Sequence, residues 1–136
     1  MRIKRYVLAC LALFVVALAW NALVHLVLLS EARAAVEHLV RPDFKEKAWL
    51  SLLGTAGMIC VFVGGYSRVA RSGSVRESIL YGVCFAVLAG ILVDLNQYVL
   101  YPIPAWVVGV WFAGGVVEFT IYALLVRKLF PPAGGS

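Results

Sequence analysis

Charge is what this sequence has least of. Only 14% of its 136 residues are Asp, Glu, Lys or Arg, against about a quarter in an ordinary soluble domain. Paired cysteines are missing as well. Cys10, Cys60 and Cys84 all sit in apolar runs and none forms a C-x-x-C, which argues against a thiol–disulfide oxidoreductase and leaves them as small packing residues. Catalytic templates are equally absent. The chain holds no H-E-x-x-H, no G-x-x-x-x-G-K and no dinucleotide fingerprint, and no Ser/His/Asp spacing supports nucleophilic catalysis. No internal repeat or long linker is present, and only the tail "PPAGGS" reads as disordered.

What is there is hydrophobic: 63% of the chain, where about half is usual. Composition therefore points to a membrane protein. A spanning helix needs about 20 predominantly apolar residues, and four runs qualify, at about 6–29, 48–69, 78–100 and 105–129. Their unbroken length favours helix, since a membrane strand needs only about 9–11 residues in strict alternation. The expectation is an all-α, polytopic membrane protein: a single domain over 1–136, built as an antiparallel bundle of four transmembrane helices. Pro102 and Pro104 mark a tight turn between the last two spans. "RSGSVRES", with Gly73, is a polar connector between the second and third. Trp49, Tyr98, Tyr101 and Trp106 fall near one set of span ends, as an interfacial aromatic belt would.

Basic residues give the orientation. Arg2, Lys4, Arg5, Arg68, Arg71, Arg76, Arg127 and Lys128 fall on one side of four spans, and only Arg33, Arg41, Lys45 and Lys47 on the other. That bias places both termini in the cytoplasm of a bacterial inner membrane. The net charge of +5 is then a topology signal that implies no nucleic-acid partner, and the partner expected throughout is the lipid bilayer. "MRIKR", an apolar stretch and "ARA" at 32–34 resemble a cleavable signal, but the apolar run is too long and contains Asn21 and His25. Residues 30–47 form the one sizeable extracytoplasmic segment. It is expected to be a short amphipathic interfacial helix, capped by Ser30, with Ala32, Ala35, Val36 and Leu39 on its apolar face and Pro42 at its end.

Ionisable residues inside a span are costly and mark functional candidates. Three occur here, His25, Asp94 and Glu118, with Asn21, Thr55, Asn96, Gln97 and Thr120 adding neutral polarity. At about 1.5 Å per residue, Asn21, Asp94 and Trp111 fall at a similar depth towards the extracytoplasmic side. Asn21 and His25, four apart, share a helix face. A polar site of Asn21, His25, Asp94 and Trp111 is the resulting expectation. Glu118 lies about 20 Å inward from Pro104, near the midplane. There the charged form is poorly solvated, so Glu118 is expected to face the bundle interior as a neutral acid bonded to another helix. Thr55, Tyr122 or a backbone carbonyl are the candidate partners.

Packing signals accompany these groups. Gly82, Ala86 and Gly90 repeat every four residues and lead to Asp94. Small faces of this kind let helix backbones approach closely. Gly109 and Ala113, beside Gly114 and Gly115, suggest a second close contact on the last helix, with the paired glycines read as packing residues.

"WNALVHLVLL" and "YPIPAWVVGVWFAGGVVEFTIYALL" resemble small, uncharacterised four-helix bacterial inner-membrane proteins. Those carry a polar residue and His late in helix one, a Pro-containing outer turn, and "WF-x-G-G-x-x-E" in helix four. Here that pattern is Trp111, Phe112, Gly114, Gly115 and Glu118. The likeness covers about a third of the chain and implies the fold but no activity. Small multidrug transporters also have four spans and a buried Glu, but theirs is in the first helix, where this chain has none.

The leading functional expectation is a non-enzymatic structural or accessory membrane subunit, acting with other membrane proteins or as a homo-oligomer, with no cofactor and no bound metal. The alternatives are a small proton- or cation-coupled carrier using Glu118, and a metal or quinone site near His25 and Asp94. Haem held by two histidines is disfavoured because His38 lies outside the spans.

Overall fold

The computed structural model describes residues 3–130. Arg2 and the "PPAGGS" tail, expected to be disordered, lie outside the described residues. The chain is all-α, and no strand occurs among the described residues. Helix α1 (Ile3–Leu23) runs on through a π-helical turn at Val24–Leu28. A short α2 (Ser30–Val36) and a 3₁₀ turn (Glu37–Leu39) follow. Next come α3 (Phe44–Val69) and α4 (Val75–Ala89). Helix α4 continues through a second π-helical stretch, Gly90–Leu95, into α5 (Asn96–Leu100), and α6 (Ala105–Leu129) ends the bundle. Four helices are thus long and apolar enough to cross a membrane: Ile3–Leu28, Phe44–Val69, Val75–Leu100 and Ala105–Leu129. Each reaches or passes the expected span at its N-terminal end, because the flanking polar residues still complete helical turns.

The helices run up and down. Tyr6 near the start of α1 donates to the Cys60 carbonyl of α3 at 2.8 Å. Arg127 near the end of α6 donates to the Gly73 carbonyl at 2.6 Å. The start of α1, the end of α6 and the α3–α4 connector therefore share one end of the bundle, and α2 and the proline turn share the other. The connector is tightly built. Ser74 caps α4 by accepting from the Glu77 amide at 3.1 Å. The Glu77 carboxylate in turn accepts from the amides of Arg71, Ser72 and Gly73 at 2.8–3.0 Å, a variant of the capping box. Gly73 has φ 62°, a left-handed conformation that favours glycine.

Most of the surface is apolar. Val15, Val61, Leu92 and Val99 are each at least 60% exposed. Only 22% of each hydrophobic window is buried within the bundle. A surface of this kind is unfavourable in water and suits lipid.

Two packed clusters hold the helices. The larger lies towards the end that carries the α3–α4 connector and is rich in aromatics: Phe62, Tyr66, Phe119 and Tyr122 are buried, with Tyr81 and Phe85 against them. Phe62 meets Tyr81 and Phe85 edge to face, with ring centroids 5.0 and 4.9 Å apart. Its polar atoms are satisfied, with Tyr66 and Ser78 hydroxyls 2.7 Å apart and Tyr81 donating to the Phe62 carbonyl at 2.8 Å. Helices α4 and α6 cross at Gly82, where a methyl group would lie 2.6 Å from the Phe119 carbonyl oxygen. The smaller cluster, at the α2 end, buries Ala32 of α2 against Ile103 and Val107, with Ala35, Val36 and Leu39 beside them. This is the apolar face expected of the 30–47 segment. Ser30 does not cap it, however. Ser30 is the first helical residue, and Leu29 occupies the cap position without a side-chain bond, because the π turn carries the helix continuously to that point.

Gly109 and Ala113 do not make the second close contact anticipated for them. Both are exposed, and nothing lies within 4 Å of a methyl group placed on Gly109. Helix α6 instead turns Phe119, Tyr122, Ala123 and Val126 into the large cluster.

Candidate functional site

Between the two clusters the bundle opens. Small residues set the opening: Gly54 of α3, Ala86 and Ala89 of α4, Gly90, and Gly114 and Gly115 of α6 all line it. No residue of α3 from Phe44 to Met58 is buried, so the first half of that helix leaves the gap unfilled. The result is a cavity of about 580 Å³, within the range of small-molecule sites. Methyl groups on Gly54, Gly114 or Gly115 would meet nothing within 4 Å. The glycine pair on α6, expected to pack against a neighbouring helix, borders empty space instead.

Four of the five candidate polar residues line this one cavity: His25, Asp94, Trp111 and Glu118. The fifth, Asn21, does not. Its side-chain amide donates to the Ala17 carbonyl at 2.8 Å, one turn back on its own helix. The shared face assigned to Asn21 and His25 presumed α-helical spacing. From Val24 the bonding becomes i→i+5, with the Leu29 amide donating to the Val24 carbonyl at 2.6 Å. That change of register carries His25 to the cavity without Asn21. Asp94 also lies in a π-helical stretch. π turns recur at functional sites, and here both such turns deliver an ionisable residue to the same space.

Glu118 is partly buried and accepts a hydrogen bond from Tyr122 at 2.5 Å. The partner is therefore one turn along the same helix rather than on a neighbour. Thr55 is occupied elsewhere, donating to Ser51 at 3.0 Å, although it too lines the cavity. The Tyr122 ring is fully buried in the aromatic cluster. The Glu118 carboxyl is thus fixed at the junction of cavity floor and core. Asp94 lies close to Gly90, and the Phe112 ring presses on Gly90 where a side chain would stand. Among the described residues the only ion pairs join Asp43 to Arg41 and Lys47, outside the cavity. Neither Asp94 nor Glu118 has a cationic partner of that kind.

The remaining wall is aromatic. Trp20, Phe112 and Phe119 line it with Trp111. Trp20 and Phe112 were not among the site residues expected from the sequence, where they are two aromatics among many in apolar runs. The signal that existed was their adjacency to Asn21 and Trp111. Towards the α2 end, Gln97 and Trp111 are shared with a second hollow of about 550 Å³ that includes Arg33, Arg41 and Tyr101. At the opposite end Phe119 of the aromatic cluster borders it.

No group of three or more His, Cys, Asp and Glu side chains is placed to hold a metal ion among the described residues. Cys10 and Cys60, distant in sequence, are neighbours across α1 and α3, a proximity that linear spacing does not reveal. Compared with protein families, curated proteins and solved structures, the chain finds no match.

Proposed function

We propose that this chain is an integral protein of a bacterial inner membrane, with both termini cytoplasmic, that admits a small solute to the cavity from the extracytoplasmic side. It acts as a receptor or carrier, with Glu118 as its innermost ionisable group. The observation that carries this reading is the gathering of His25, Asp94 and Glu118 around one cavity, with Phe119 of the aromatic cluster bordering its opposite end. Ionisable groups placed only to hold helices together would be expected to bond across helices, and among the described residues no such bond is made by Asp94 or Glu118. The charge bias of the connectors supports the orientation. The test is labelling of Gly114→Cys in a chain whose three native cysteines are replaced by Ser. A membrane-impermeant trimethylammonioethyl thiosulfonate should modify it from the extracytoplasmic face only. Labelling from neither face, in protein that is folded and inserted, would end this reading.

The accessory-subunit reading has its own support. Gly109, Ala113 and Val117 form an exposed stripe along α6, the kind of surface on which another membrane helix packs. Crosslinking from Ala113→Cys in native membranes, to a second copy or to another protein, tests it.

A further inference from the structure

We infer that the cavity selects an organic cation with an apolar body, recognised by Asp94 and Glu118 and by the aromatic wall. This inference rests on the reading of the cavity as an open solute site and names the chemistry of what enters it.

The lining has a consistent sign. Two carboxyls line it without a cationic partner among the described residues, and His25 is the single basic side chain among its lining residues. An anionic solute would meet both carboxyls with only one imidazole in compensation. A neutral apolar solute would leave them facing it unpaired, which is costly in a low-dielectric setting. A cation supplies what they lack. A unit charge about 4 Å from a carboxylate interacts strongly wherever water is partly excluded, so an arriving cation favours the ionised form of an acid that is neutral in the empty cavity. Trp20, Trp111 and Phe112 present aromatic surface to the same space, and aromatic faces attract cations while covering apolar groups. The Tyr122 hydrogen bond holds one Glu118 oxygen in place, so that this carboxyl is oriented before a ligand arrives.

The test uses two ions of the same shape and opposite charge. Tetraphenylphosphonium and tetraphenylborate are compared as protectants of Gly114→Cys against thiosulfonate labelling, in the full chain reconstituted in lipid. Tetraphenylphosphonium should protect saturably, at a concentration at least about tenfold below that needed for tetraphenylborate, a difference of about 1.4 kcal/mol. Asp94→Asn or Glu118→Gln should remove most of that preference. Equal protection by both ions, or protection by neither while labelling proceeds, would overturn the inference and leave the open cavity standing. Absence of labelling without either ion would remove the cavity reading and the inference together. The comparison on the unsubstituted carboxyls needs no variant at Asp94 or Glu118 to fold.

Discussion

Tyr122 donates its hydroxyl to the carboxyl of Glu118, one turn back along α6, across 2.5 Å. The tyrosine ring belongs to the core, with Phe119 and Phe62 at centroid distances of 5.7 and 6.0 Å. The carboxyl belongs to the cavity. This pair is where the packed half of the bundle meets the open half.

Removing the donor isolates a partly buried acid. Tyr122→Phe keeps the ring and loses the hydroxyl, and should destabilise the chain by about 1–3 kcal/mol. Glu118→Gln keeps an acceptor for Tyr122 and should cost less. Thermal unfolding in detergent, followed by circular dichroism, gives the order. Equal stability of Tyr122→Phe and the parent chain would show that the hydrogen bond is not made.

Glycines in the two halves should respond oppositely to a methyl group. At Gly82 the added carbon would lie 2.6 Å from the Phe119 carbonyl oxygen and 2.9 Å from the Thr120 Cα. Both are backbone atoms, so α4 and α6 must move apart, at about 1–3 kcal/mol. Gly109→Ala and Gly114→Ala meet open space and should be neutral, or stabilising by up to about 1 kcal/mol through helix propensity. The same unfolding assay separates the two outcomes.

The neighbouring thiols of α1 and α3 offer a check on the bundle itself. Mild oxidation with copper phenanthroline and oxygen should join Cys10 to Cys60 in one chain, with loss of two hydrogens to the oxidant. Mass spectrometry of the digested protein should find that bond, and none from Cys84 to either thiol. Cys10→Ser or Cys60→Ser should abolish it. Failure of the parent chain to crosslink would place α1 and α3 differently.

Outside the spanning segments, Asp43 couples to pH. Asp43 is held below the ordinary carboxylate range, first by Arg41 and then by Lys47, which contact it at 2.8 and 2.6 Å. A depressed value means that the folded state favours the ionised form. The contribution is present above the carboxylate's unfolded value and is lost as pH falls through the folded one. Asp43→Asn should therefore speed amide exchange around the start of α3 at neutral pH, and the difference should vanish in acid. The effect should be small and salt-sensitive, because the pair is solvent-exposed.

Fold and site were legible in the sequence to different depths. The four spans stand out because apolar runs of that length have no other use. The apolar face of α2 and the close approach at Gly82 were equally visible, since each depends only on α-helical spacing. The π turns at Val24–Leu28 and Gly90–Leu95 were not visible, because hydropathy carries no record of hydrogen-bond register. Asn21 was grouped with His25 for that reason. Gly109 with Ala113 and Gly114 with Gly115 look alike in sequence as small-residue patches, but a small residue allows either a close contact or a gap. Only the placement of the neighbouring helix decides which. Cys10 and Cys60 illustrate the same limit, since their proximity is a property of two helices together.

The central claim is that water, rather than lipid or protein, meets the wall of α6 at Gly114. It is tested most directly by spin labels at Gly114 and at Val61, an outward-facing position on α3 that is 65% exposed, in the reconstituted chain. A label at Gly114 should be relaxed more by a water-soluble nickel chelate than by oxygen, and a label at Val61 the reverse. Oxygen-dominated relaxation at both positions would contradict the account.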